Sequence, residues 1–185
     1  MRLGVRRALV AVIVLFTVAS LTLLAWHQFA TPSIAAGSSA DLDGLTTEVQ
    51  EAGWVNFDMG HVMDGQGGFM MPDAMMPGTP RGEQVRLGVA VTLSNTSSGT
   101  VEFNLPQEFT ITGGALAAPV EPVADTLGEL SRLGPGSAVD ALIYFDMEIP
   151  DDGDPPIHLR WTRAGSTVEI AVPMTEGDAP PVHQH

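Results

Sequence analysis

The stretch Val85-Arg-Leu-Gly-Val-Ala-Val-Thr-Leu-Ser94 decides the fold, because large apolar side chains alternate in it with small or polar ones. A period of two is typical of a β-strand that turns one face to a core and the other to solvent. A longer alternation covers 139–149, where Ile143 and Phe145 fall on one side and Tyr144 and Asp146 on the other. These two stretches predict adjacent strands of a sheet.

Shorter alternations of the same kind surround them. They occur at 101–105, 109–111, 157–161 and 168–172, and the interval 163–166 between the last two predicts a hairpin turn. Only Leu127, Leu130 and Leu133 have the spacing of a helical turn. Several short strands separated by turns at regular intervals predict an all-β domain, an immunoglobulin-like antiparallel β-sandwich over residues 48–173.

The N-terminus predicts a membrane anchor. Three arginines (Arg2, Arg6 and Arg7) precede a predominantly apolar run from Ala8 to Trp26 that contains no charged residue. At 1.5 Å per residue, this run covers about 28 Å as a helix, close to the thickness of a bilayer core. We therefore expect residues 1–26 to form a signal anchor or transmembrane helix with a cytoplasmic N-terminus. Cleavage near Ala35 or Ala36 is the rival interpretation, and it would yield a secreted protein.

Composition limits the structures and functions that the remainder of the chain can have. Residues 27–47, rich in Ser, Thr, Ala and Gly, predict a flexible linker, and residues 174–185 predict a disordered tail. Beyond the apolar run the chain has five arginines, no lysine and all 22 acidic residues, a formal net charge of −17. Such a surface repels nucleic acid. The absence of cysteine excludes disulfides, zinc–thiolate sites and thiol nucleophiles.

One segment of the sequence is rich in candidate metal ligands. Residues 58–82, called here the Met-rich segment, contain six of the nine methionines together with His61, six glycines and three prolines. Thioether and imidazole groups are ligands that soft metal ions such as Cu(I) prefer. In an extended chain, positions 59, 61 and 63 point to the same side. The sequence therefore predicts a copper site whose candidate ligands are Met59, His61, Met63, Met70, Met71, Met75 and Met76.

Methionine has two further interpretations. Its flexible side chain fills irregular gaps in a core, and it also forms adaptable surfaces that bind partner proteins. The sequence leaves core packing and partner docking open beside metal binding. A non-enzymatic interaction module of the cell envelope is thus the alternative function.

Other candidate ligands are weaker. His183 and His185 form a possible second pair on the tail, whereas His158 falls on the polar face of a predicted strand. The acidic turn 151–154 lacks the spacing and the closing glutamate of a calcium loop. No nucleophile elbow, phosphate loop or zinc-protease motif is present, so we expect a protein that is not an enzyme.

Two stretches carry a family resemblance. Residues 85–95, a strand that ends in Leu-Ser-Asn, and residues 133–150, with a Pro-Gly turn, a strand and a terminal proline, resemble the DUF4352-type extracytoplasmic domains of Gram-positive bacteria. The similarity covers about residues 84–173 and implies an exported immunoglobulin-like fold without known catalytic residues. The Met-rich segment is similar to those of periplasmic copper-handling proteins. We therefore expect a membrane-anchored protein that buffers Cu(I) or delivers it to an envelope copper protein or another membrane protein.

Overall fold

The computed structural model describes residues 31–55 and 78–174. The chain divides into two compact units, Met1–Pro32 and Ser33–His185. In the second unit, the described residues form eleven strands and one short helix: β1 (Ser33–Ile34), β2 (Ser39–Leu42), β3 (Leu45–Trp54), β4 (Val85–Asn95), β5 (Val101–Glu102), α1 (Leu105–Glu108), β6 (Phe109–Thr112), β7 (Ala124–Asp125), β8 (Arg132–Leu133), β9 (Ala138–Met147), β10 (His158–Arg163) and β11 (Ser166–Ala171).

The strands form two main sheets that enclose one core. The four-stranded sheet has the order β1-β11-β10-β6 and the five-stranded sheet the order β2-β3-β4-β9-β7, while β5 and β8 pair separately. All neighbours in both main sheets are antiparallel except β1 and β11. Both sheets contribute to a single cluster of buried apolar side chains. The predicted β-sandwich is therefore confirmed.

Alternating residues of β4 and β9 fill the core from the five-stranded sheet. Leu87 and Phe145 are register partners, as are Val89 and Ile143, and all four are fully buried. From the other sheet, the rings of Phe109 and Trp161 stack with centroids 5.7 Å apart. Burial of these large side chains is the main favourable term in the stability of the sandwich.

The predicted linker at 27–47 is wrong from Ser33 onwards, because β1, β2 and the start of β3 lie within it. The reason is a two-residue hairpin at Asp43-Gly44, whose φ angles of 53° and 74° are both positive. Positive φ at both central positions fits a type I′ turn, whose twist matches that of the flanking strands. The predicted hairpin at 163–166 is confirmed and has the same form, with positive φ at Ala164 and Gly165.

Two other predictions were wrong in part. The strand expected over 101–105 ends at Glu102, because Asn104 caps α1 by accepting a hydrogen bond from the Gln107 N–H at 3.2 Å. The helical turn expected at Leu127, Leu130 and Leu133 is absent from the described residues, where β7 and β8 flank an irregular stretch. Leu130 is exposed there and gains too little burial to hold a helix against the core.

The predicted N-terminal helix and tail fall outside the described residues, apart from Met174. Within the described residues, no helix is both long and apolar enough to span a bilayer. The anchor therefore stays a prediction.

Candidate functional site

The predicted copper ligands all fall outside the described residues, and so do the two histidines of the tail. The ligands concerned are Met59, His61, Met63, Met70, Met71, Met75 and Met76. Among the described residues, no group of three or more His, Asp or Glu side chains is placed to hold a metal ion. His158 is half-buried at the start of β10.

The described residues do show where the Met-rich segment joins the fold. It lies in the connection between β3 and β4, which are antiparallel neighbours in the middle of the five-stranded sheet. The last described residue before the gap is Val55, directly after β3, and the first after it is Gly78. The segment is thus part of a long connection between two central, paired strands.

Arg86, the second residue of β4, bonds to both of these flanking residues. Its carbonyl oxygen accepts a hydrogen bond from the Val55 N–H at 2.8 Å. Its Nη2 donates to the carbonyl oxygen of Gly78 at 3.1 Å. One residue therefore holds both described ends of the connection at the same place on the sheet.

The guanidinium group of Arg86 is itself fixed by a buried ion pair. Its side chain has no exposed surface, and it binds the carboxylate of its register partner Asp146 through two bonds, Nε to Oδ1 at 2.6 Å and Nη2 to Oδ2 at 2.8 Å. The Asp146 side chain is 16% exposed. A bidentate arginine–carboxylate pair combines charge with fixed geometry, so this end of the connection has a rigid base.

Around this pair, the face of the sheet that points away from the core is nevertheless buried. Gly53, Gly88 and Tyr144 are successive register partners across β3, β4 and β9, and Val55 lies beside Arg86. All of them are buried. We call these residues the buried outer patch: Gly53, Val55, Arg86, Gly88 and Tyr144.

The remainder of the same face is polar. Glu48, Thr92 and Asp140 are register partners there, half-buried or exposed, and the Thr92 hydroxyl donates to Asp140 Oδ1 at 2.7 Å. Burial on the outer face is therefore concentrated at the end of the sheet where the Met-rich segment joins it.

Tyr144 is the titratable group of the patch with a perturbed pKa. Its side chain is 1% exposed, and no hydrogen-bond partner for its hydroxyl lies among the described residues. Burial raises the pKa of the phenol above its ordinary value of 10.0, and the nearby positive charge of Arg86 opposes the shift. A buried hydroxyl without a partner costs about 1–3 kcal/mol.

Replacing Tyr144 with phenylalanine is expected to stabilise the protein by about 1–3 kcal/mol at neutral pH, because the unpaired hydroxyl is lost. In the parent, the folded state keeps its phenol proton to higher pH than the unfolded state does. The parent should therefore lose stability as the pH rises from about 10 through the raised pKa. Urea unfolding at several pH values measures both effects. Equal stability of parent and variant across this range would contradict them.

Another polar cluster joins α1 to β10 of the four-stranded sheet. Glu108 accepts hydrogen bonds from Trp161 Nε1 at 3.1 Å and from Arg163 Nη1 at 2.8 Å. Glu108 also borders an open surface depression with Glu102, Asn104 and Arg132. Since its two carboxylate oxygens already have partners, we assign this cluster a structural role.

Sequence reasoning missed the Arg86–Asp146 pair and the burial of Tyr144. The alternation of β4 and β9 placed all three on the polar face. The sequence offered one indication of the pair, namely the opposite charges of Arg86 and Asp146 on two predicted strands. To predict their contact, one would also need the register in which β4 and β9 pair, and the sequence does not give it.

Comparison with known proteins does not identify a function for this chain. No family model matches the chain, and neither does any curated protein. The resemblance to DUF4352-type domains therefore stays a prediction.

Solved structures of similar shape exist among bacterial proteins. An uncharacterized beta-sandwich protein from Clostridium difficile has a TM-score of 0.49 at 13% identity, over 77% of this chain and 94% of that one. The yjhA protein from Bacillus subtilis has a TM-score of 0.45 at 15% identity, over 75% and 99%. A functionally unknown protein from Listeria monocytogenes has a TM-score of 0.45 at 11% identity, over 75% and 82%. At these TM-scores, none of the three structures supports an inference about the candidate site.

Proposed function

We propose that this protein is an exported, non-enzymatic copper-binding protein that buffers Cu(I) or delivers it to another protein of the cell envelope. Residues 1–26 anchor it in the membrane by a single pass, with the sandwich on the extracytoplasmic side. The ion is bound by the thioethers of the Met-rich segment and the imidazole of His61. Its recipient is an envelope copper protein or another membrane protein.

The observation that carries the proposal is the concentration of one ligand type in one connection. Six methionines and a histidine fall within 18 residues, between strands that are hydrogen-bonded to each other. Thioether and imidazole ligands suit Cu(I), whereas carboxylate and water ligands suit Mg²⁺, Ca²⁺ and Mn²⁺. The ligand set therefore favours copper over the common hard cations.

The scaffold supports this assignment. Binding residues often lie on loops that a rigid framework positions. Here the framework is β3, β4 and β9, and the Arg86–Asp146 pair fixes Gly78 at one end of the connection. The absence of cysteine also fits an oxidising compartment, where thiols are lost to disulfides and thioethers remain available.

X-ray absorption at the copper edge of the Cu(I)-loaded full chain tests the ligand set. We expect sulfur neighbours together with at least one nitrogen neighbour, and a variant with His61 changed to alanine should keep the sulfur and lose that nitrogen. A first shell of nitrogen and oxygen alone would contradict the proposal.

A further inference from the structure

We propose that the buried outer patch is the docking surface for the Met-rich segment of the same chain. The contact does not need a metal ion. It places the copper-binding segment proposed above against the outer face of the five-stranded sheet, and it can be tested on metal-free protein.

The connection that contains the Met-rich segment leaves the described residues and rejoins them at the patch itself. Only the 22 residues 56–77 separate Val55 from Gly78. Val55 belongs to the patch and packs with Tyr144, while Gly78 is bonded to Arg86 of the same patch. Both residues that flank 56–77 therefore lie at the proposed surface.

The shape and chemistry of the patch suit an apolar occupant. Gly53 and Gly88 are register partners without side chains, so another segment of chain can approach the sheet closely there. Val55 and Tyr144 form an apolar cluster separate from the main core. The charge of Arg86 is balanced by Asp146. Methionine supplies the adaptable apolar side chains that such a surface accepts.

The burial of the patch is local. Among the described residues, only Ala124 and Leu142 are partly buried apolar residues packed against Val55 and Tyr144. The other half of the outer face is polar, and its residues are half-buried or exposed. Because the outer face is buried only beside the two ends of the connection that contains the Met-rich segment, that segment is the occupant we assign to the patch.

The composition of the chain provides a direct readout. Tyr144 is the only tyrosine, and the chain has no lysine and no cysteine. Arginine stays charged throughout the alkaline range. Between about pH 9 and 12, the absorbance change of ionised phenol therefore reports the environment of Tyr144 alone.

The experiment compares this titration in metal-free full chain and in a variant with residues 57–77 replaced by a short Gly/Ser linker. Docking predicts that the pKa of the Tyr144 phenol is raised in the parent, and that in the variant it falls towards its ordinary value of 10.0. A matched control replaces the exposed turn 151–154 with Gly and Ser and should titrate like the parent.

A second variant tests the same proposal if the shortened chain does not fold. It keeps the full length and changes the six clustered methionines to serine, which removes the apolar side chains and leaves the sheet intact. It should also lower the pKa of Tyr144. Identical titration of parent and either folded variant would overturn the docking proposal, and so would a parent titration that changes with protein concentration, since a second copy would then cover the patch. Neither result bears on copper, because no metal is present.

Discussion

Replacing Asp146 with asparagine is expected to destabilise the sandwich by about 3–5 kcal/mol, because it removes the carboxylate that balances the fully buried charge of Arg86. Asparagine keeps the size of the side chain and one acceptor oxygen, so the change removes charge with little change in packing. Urea unfolding followed by tryptophan fluorescence measures the loss, since the chain has three tryptophans.

Two control experiments separate the effect of burying the ion pair from the effect of losing a charge. Removing both members of the pair, with Arg86 changed to methionine and Asp146 to leucine, should restore most of the lost stability, because no buried charge remains at the site. The exposed pair Arg132–Glu102, at 69% and 72% side-chain exposure, should contribute less than about 1 kcal/mol when Glu102 is changed to glutamine. Equal effects of the Asp146 and Glu102 substitutions would contradict the importance of burial.

Replacing the six clustered methionines with leucine is expected to lower the affinity for Cu(I) by more than about 100-fold. Removing groups that merely support a metal ligand already costs about 10–100-fold, and here the ligands themselves are lost. Leucine keeps the apolar character and approximate volume of methionine, so the fold and any apolar contact with the sheet should persist. Competition with a Cu(I) chelator measures the affinity.

Methionines outside the cluster provide the matched control. Met147 is buried in the core and Met174 is partly exposed. Changing both to leucine should leave the Cu(I) affinity unchanged. If the Met-rich segment instead docks a partner protein, the six-leucine variant should retain that partner, because leucine preserves apolar contact.

The predictability of the strands depends on how regular their alternation is. β4 and β9 could be predicted because a strict period of two runs through each of them. β3 could not be bounded, because a bulge between Val49 and Glu51 shifts the alternation, so that Ala52 and Trp54 point to the core and Val55 points outwards. β2 was missed because it is short, although Asp43-Gly44 is a recognised hairpin signal.

The candidate site was only half predictable. Composition alone revealed the Met-rich segment, because methionine is rare elsewhere in the chain. The base of the connection was hidden, because Arg86 and Asp146 are 60 residues apart and meet only when β4 and β9 pair in their actual register. The burial of Tyr144 could not be predicted either. An alternating pattern shows on which face of the sheet a residue lies, but it does not show whether another part of the protein covers that face.

Whether the thioethers of the Met-rich segment bind copper is decided by titrating the metal-free full chain with Cu(I) in competition with a chelator. We expect the parent to withdraw Cu(I) from the chelator and the six-leucine variant, equally folded, to leave the metal with it. A parent that cannot compete, or a leucine variant that competes equally well, would refute the ligand assignment.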